Sequence, residues 1–216
     1  MARIAIIGGH GQIALLATKL LVALDDEVTS IFRNPEHEAD IVTVGATPLV
    51  LDIASADTGQ IAGVLAGHDA VIWSAGAGGG SPERTYAVDR DAAIRSMTAA
   101  TTATVKRYIM VSYFNAGAGH QIAETNAFYA YAESKAAADD ALRASTLDWT
   151  ILGPSTLTSA EPTGRIQVGS GLRSGSVSRA DVAAAIVAVL HEPSTIGRMI
   201  NFNSGDTPIS EAIRAS

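Results

Sequence analysis

Apolar residues along this chain follow two alternating rhythms. Short apolar or β-branched runs, too brief for helices, occupy residues 4–7, 27–32, 48–51, 70–73, 107–111 and 149–152, and they predict strands. Between them, stripes with a helical period predict helices. The first runs through Ile13, Leu16, Leu20 and Leu24; others cover residues 56–65, 82–100 and an Ala-rich stretch at 127–145. Asp89 and Arg90 are assigned to the polar part of the 82–100 helix. After Gly153-Pro154 the pattern weakens: residues 155–178 are polar and Gly-rich and carry no predicted element. A further helical stripe at 180–190, with Asp181 favouring its N-terminus by charge, precedes a last strand at 199–202 and a closing helical turn at 208–213. Repeated strand-helix alternation predicts an α/β fold: one doubly wound parallel sheet, of Rossmann type, covered by helices on both faces. No internal repeat or second domain is legible, so residues 1–216 read as one domain, with 155–178 as a small segment on its substrate side.

The first strand-to-helix turn has unusual chemistry. Gly8, Gly9 and Gly11 lie between the strand and the stripe that opens at Ile13, with Ala14 three residues beyond Gly11. In this context Gly8 serves a tight turn, Gly11 lets a pyrophosphate approach backbone, and Ala14 permits close helix-sheet packing. The helix N-terminus, with its unpaired N–H groups and dipole, favours an anion. Gly8, Gly9, His10, Gly11, Gln12 and Ile13 are therefore the predicted cofactor-binding loop.

The second strand ends at Arg33, where a dinucleotide's ribose would lie, and no carboxylate precedes it there. An Arg at this place accommodates a 2′-phosphate and so points to NADP(H) over NAD(H); the alternative is a solvated Arg at a loop start. Asp52, just past the third strand, reads either as a hydrogen-bond partner for adenine or as the cap of the following helix. Ser74, Ala75 and Gly76 open a run of small residues, through Gly79 and Gly80, that leaves room for a ligand against backbone.

Composition narrows the classes. A hydrophobic fraction of 47% supports a full core, and fifteen basic against twenty-two acidic residues give a net charge of −7. That balance disfavours nucleic-acid and anionic-membrane partners, both of which need clustered Lys and Arg. The absence of cysteine excludes disulfides, thiolate nucleophiles and Cys-ligated zinc, and the five histidines lack metal-ligand spacing. With no basic, apolar leader pattern ahead of the first strand, the expected location is cytoplasmic.

Within the Ala-rich helix, Tyr131 and Lys135 are spaced so that phenol and ammonium share one face, about one turn apart. A neighbouring cation favours a phenolate and brings a phenol toward acid-base work near neutral pH. Taken alone, the spacing also fits an ordinary surface pair.

Gly8-x-x-Gly11-x-x-Ala14, Tyr131-x-x-x-Lys135, and the stretches 145–154, 178–183 and 203–209 together resemble the atypical short-chain dehydrogenase/reductase superfamily, in particular its NAD(P)H-binding NmrA-like and biliverdin reductase B-like group. The resemblance implies that Tyr131 exchanges the proton at a carbonyl or alcohol oxygen. It implies that Lys135 holds the nicotinamide ribose and lowers the phenol's pKa, and that Ser112 orients the oxygen. Two departures stand out. Many members place the working serine where this chain has Tyr113 or Phe114, and the family's Arg-Pro after the sixth strand is Gly153-Pro154 here. The expected activity is NADPH-dependent hydride transfer to or from a small carbonyl, quinone or flavin-like molecule. The rival expectations are an NADP(H)-binding redox sensor without turnover and an epimerase or isomerase that keeps NAD tightly bound.

Overall fold

The computed structural model describes residues 1–78, 81–117, 119–169 and 171–216; Gly79, Gly80, Ala118 and Ser170 lie outside the described residues. Its strands are β1 (Arg3–Ile7), β2 (Glu27–Phe32), β3 (Thr47–Val50), β4 (Ala70–Trp73), β5 (Arg107–Val111), β6 (Asp148–Pro154), β7 (Thr156–Thr158), β8 (Arg165–Val168), β9 (Ser176–Ser178), β10 (Arg198–Ser204) and β11 (Thr207–Pro208). Nine of them form one sheet in the order β11-β8-β10-β6-β5-β4-β1-β2-β3. Pairing is parallel from β3 across to β10, and antiparallel from β10 to β8 and from β8 to β11. The strand order reverses direction between β1 and β4, which places a crevice at their carboxyl ends.

The helices are α1 (Gln12–Val22), α2 (Glu38–Thr43), α3 (Thr58–Leu65), α4 (Pro82–Thr85), α5 (Ala93–Thr102), α6 (Tyr129–Arg143), α7 (Arg179–Leu190) and α8 (Ile209–Ala215). Strand residues alternate between two cores, which is why the central strands read as continuous apolar runs. Ile4, Ile6, Ile72 and Ile109 pack with α1, α7 and α8 on one face. Ala5, Ile7, Trp73, Tyr108 and Met110 pack with α3, α5 and α6 on the other.

Three differences from the sequence reading bear on the site. The helix expected over 82–100 is interrupted by a π-helical segment, Tyr86–Ala92, between α4 and α5, and Asp89 within it is only 1% exposed. Asp89 is thus buried rather than part of a polar surface. Asp52 is not a helix cap, because α3 begins at a capping box formed by Asp57 and Gln60, while Asp52 Oδ1 accepts from Ala54 N at 3.1 Å. Residues 155–178 are not unstructured: β7 and β9 pair with each other, and β8 joins the main sheet. The backbone there is partly organised by Asp181, whose carboxylate does more than charge a helix start. It accepts from Thr163 N, from Gly164 N at 2.8 Å and from Ser178 Oγ at 2.9 Å.

Candidate functional site

At the carboxyl end of β1 the chain leaves through Gly8, whose φ of +86° belongs to the left-handed region. A Cβ here would lie 2.5 Å from the backbone of Ala75, so β1 and β4 meet at this turn with no side chain between them. Gly8 N and Gly9 N both donate to Ile31 O, tying the loop to β2. Gly11 then starts α1 in extended conformation and supplies no side-chain cap, so the first amides of α1 are left for another acceptor. A Cβ on Gly11 would come no nearer to its neighbours than 3.2 Å, from Gly8 O. That contact with backbone is tight, though milder than the one at Gly8, and the bare face of Gly11 suits a bound phosphate.

A cavity of about 290 Å³ runs over this turn, and Gly8, His10, Gly11, Arg33, Asp52 and Ser74–Gly76 are among its walls. His10 stacks on His37 with ring centroids 3.7 Å apart, and its Nε2 lies 2.9 Å from Asp40 Oδ2. Arg33 is exposed at the rim, and Arg84, which the sequence reading did not single out, adds a second cation to the lining. Gln12 is exposed at the start of α1, whereas Ile13 turns inward and lines the next cavity.

That second cavity, about 570 Å³, shares Ser74, Ala75 and Gly76 with the first. Its lining brings together Ser112 from the end of β5 and Tyr131 and Lys135 from α6, together with Asp89, Phe128 and Leu157. Leu157 is the one residue of the 155–178 segment among the described lining residues. Ser112 reaches this place because β5 continues beside β6: Ser112 N donates to Leu152 O and Phe114 N to Pro154 O. Phe114 is consequently buried, and Tyr113 faces Phe128 and Tyr131, with ring centroids at 5.4 and 5.6 Å. Gly153 has a local cause too. A Cβ there would overlap the amide of Asn201, which accepts from Asn115 N, so a larger residue at this point of β6 would displace Asn201 from that bond.

Electrostatics correct one expectation. The Lys135 ammonium is buried and donates to Val111 O at 2.7 Å. Burial lowers its pKa, opposed by the carboxylates of Asp89 and Asp139. The Tyr131 phenol is not brought down by this neighbour: burial first, then Asp89, Tyr113 and Asp139, push its pKa up. Burial likewise raises Asp89 and Asp139 above ordinary carboxylates, with Lys135 opposing in both cases. Asp89 Oδ2 accepts from Ala77 N at 2.9 Å, and Ser112 Oγ donates to Asp139 Oδ2 at 2.6 Å. Asp89 Oδ1, Asp139 Oδ1 and the Tyr113 hydroxyl are buried with no hydrogen-bond partner among the described residues. Asp89 and Asp139 were missed in the sequence although their spacing was informative. Asp89 falls on the buried stripe of Thr85, Val88 and Ala92, and Asp139 on that of Ala132, Lys135, Ala136 and Leu142. A carboxylate on an inward stripe signals a polar pocket.

Comparison with known proteins agrees with this geometry. A family model described as NAD(P)H-binding matches residues 8–193. The chain is 34% identical over 219 residues to the "Uncharacterized sugar epimerase YhfK" of Bacillus subtilis (strain 168), covering 98% of this chain and 99% of the relative. Among solved structures, a "Putative NAD-dependent epimerase/dehydratase" from Bacillus halodurans superposes with a TM-score of 0.92 at 28% identity, covering 100% of both chains. The oxidoreductase ylbE from Lactococcus lactis gives 0.86 at 28% identity, with 99% of this chain and 95% of that one covered. Among the described residues, no helix is long and apolar enough to cross a membrane.

Proposed function

The chain belongs to the NAD(P)H-binding family, and on that premise we propose that it is an NADPH-dependent reductase, of the atypical short-chain dehydrogenase/reductase type, acting on a small carbonyl, quinone or flavin-like molecule. The observation that carries this reading is the junction at Ser74–Gly76 of a glycine-loop cavity with a second cavity lined by Tyr131, Ser112 and Lys135. The uncapped start of α1 and the open face of Gly11 suit a pyrophosphate, Arg33 and Arg84 suit the added 2′-phosphate of NADP(H), and Asp52 borders the adenine end. When bound, the reduced nicotinamide supplies the hydride.

The chain's own part is to seat the substrate oxygen and give it a proton. A phenol with a raised pKa keeps its hydrogen at neutral pH, so Tyr131 is ready as a donor and ill suited as a base. With an aldehyde or ketone the oxygen formed by hydride addition is an alkoxide, more basic than a phenolate, so it takes the Tyr131 proton, and solvent then restores it. This asymmetry favours carbonyl reduction over alcohol oxidation. Ser112 reaches the same cavity to orient the oxygen, and the apolar walls of Ile13, Phe128 and Leu157 receive the remainder of the substrate. Lys135, which lines the same cavity and donates to Val111 O, is assigned by this reading to hold the nicotinamide ribose. NADPH consumption on a panel of quinones, flavins and small aldehydes tests the reading; absence of turnover together with nucleotide-dependent capture of a protein would favour a sensor.

A second reading has one specific support, the epimerase names carried by two similar proteins. An epimerase of this type would retain NAD through purification, and mass spectrometry of the nucleotide released from fresh protein separates the two readings.

A further inference from the structure

Beneath the second cavity lies a buried group of charges that the proposed reaction leaves unexplained. Two carboxyl groups, Asp89 and Asp139, act by charge on one ammonium, Lys135, and all three are at most 2% exposed. With every group ionised the site carries an excess negative charge in a medium that tolerates it poorly, and a single proton removes that excess.

The local partners differ between the two carboxyls. Asp89 accepts from a backbone amide, Ala77 N, a donor that cannot reverse and therefore favours the ionised form. Asp139 meets only the hydroxyl of Ser112, a partner that donates or accepts with equal ease. Other groups act on Asp139 from the elements packed around it. On α6 these are Lys135, Asp140 and Arg143, and Arg143 is already committed to Asp140 through Nη1 at 2.6 Å. Beyond β5 there is Tyr113, near the cavity mouth Tyr131, and on the π-helical segment Asp89, which shares Lys135.

Resting on the reductase reading above, we propose that Asp139 is a positioning residue that holds a proton at neutral pH and donates it as a hydrogen bond to Ser112 Oγ, turning the Ser112 hydrogen toward the substrate carbonyl. With Asp139 ionised, Ser112 must spend its hydrogen on the carboxylate and can meet the substrate only as an acceptor. With Asp139 protonated, the 2.6 Å contact reverses and Ser112 becomes a donor facing the cavity. Asp139 thereby sets which side of the carbonyl/alcohol pair Ser112 welcomes: carbonyl at lower pH, alcohol above the ionisation of Asp139. Burial, which raises the Asp139 pKa, acts in the same direction.

Infrared spectroscopy of the intact protein tests this without any substrate. The wild type near neutral pH is expected to show a protonated-carboxyl C=O stretch that is lost in Asp139→Asn, and in Asp89→Asn, where Lys135 faces a single carboxylate, the Asp139 band should titrate away at lower pH than in the wild type. Removing the hydroxyl in Ser112→Ala should keep that band present to higher pH, since a bond that stabilises the carboxylate is gone, and this readout remains if Asp139→Asn does not fold. No protonated-carboxyl band in the wild type near neutral pH, a band that survives there in Asp139→Asn, or a titration unmoved by Ser112→Ala would each overturn the proposal. In turnover with NADPH, Asp139→Asn, whose amide also donates to Ser112, should stay active while losing the fall in carbonyl reduction that the wild type shows as Asp139 ionises. A wild type inactive on every quinone, flavin and aldehyde would sink the reductase reading and leave the infrared result to judge the proton on Asp139.

Discussion

Lys135 Nζ donates to the carbonyl oxygen of Val111 at 2.7 Å, which fixes the ammonium at the end of β5 rather than against the Tyr131 phenol. The same cation lies in the field of Asp89 and Asp139 and lines the second cavity. Lys135→Ala should impair both nucleotide affinity and turnover. It should also destabilise the fold by about 3–5 kcal/mol, as loss of one partner from a buried ion group does. Calorimetric titration with NADPH and urea denaturation read the two effects; a variant of unchanged stability would mean that the buried carboxyls do not depend on this charge.

Tyr131→Phe removes the proton donor and little else, because the ring contacts with Tyr113 and Phe128 are kept. Turnover should fall about 10²- to 10⁴-fold, as for loss of a general acid, with nucleotide affinity nearly intact. If a substrate is reduced at the wild-type rate by the variant, the catalytic assignment of Tyr131 fails while the fold assignment stands.

Much of this architecture was legible because each local signal agreed with the next. The run at β1, the glycines after it and the stripe of α1 carry their own periods, and the parallel pairing of β1 with β2 and β4 follows from the alternation. What stayed hidden depended on non-local partners. β7, β8 and β9 are three or four residues long and owe their extension to backbone pairing with distant strands and to Asp181, none of which leaves a periodic trace. The raised Tyr131 pKa was equally invisible, since spacing places Lys135 one turn away but says nothing of Val111 O, Asp89 or Asp139.

Gly8 and Gly11 should respond oppositely to a side chain. Gly8→Ala forces a left-handed φ and a contact near 2.5 Å with Ala75, so it should lower stability outright. Gly11→Val brings a Cβ to 3.2 Å from Gly8 O, a milder contact at an ordinary φ, so it should cost some stability yet keep the far-UV CD spectrum of the fold while abolishing the thermal shift induced by NADPH. An unchanged shift in folded Gly11→Val would show that Gly11 is only a turn residue.

Arg33 should set cofactor choice. A guanidinium paired with a phosphate contributes about 1.5–3 kcal/mol, which corresponds to about 10- to 150-fold tighter binding of NADPH than NADH. Arg33→Ala should lose most of that preference and leave NADH affinity nearly unchanged. Equal calorimetric affinities of the wild type for the two nucleotides would reject the assignment.

The most direct test of the central claim follows the hydride itself. The protein is mixed with NADPH deuterated at the transferable position of the nicotinamide and with the quinones, flavins and small aldehydes of the panel, and the products are analysed by mass spectrometry and NMR. Reduction is expected to consume the nucleotide and, with an aldehyde, to place deuterium on the former carbonyl carbon, at a rate that Tyr131→Phe depresses. A protein that consumes no NADPH with any of these molecules, and that releases non-exchanging NAD when denatured, would contradict the account.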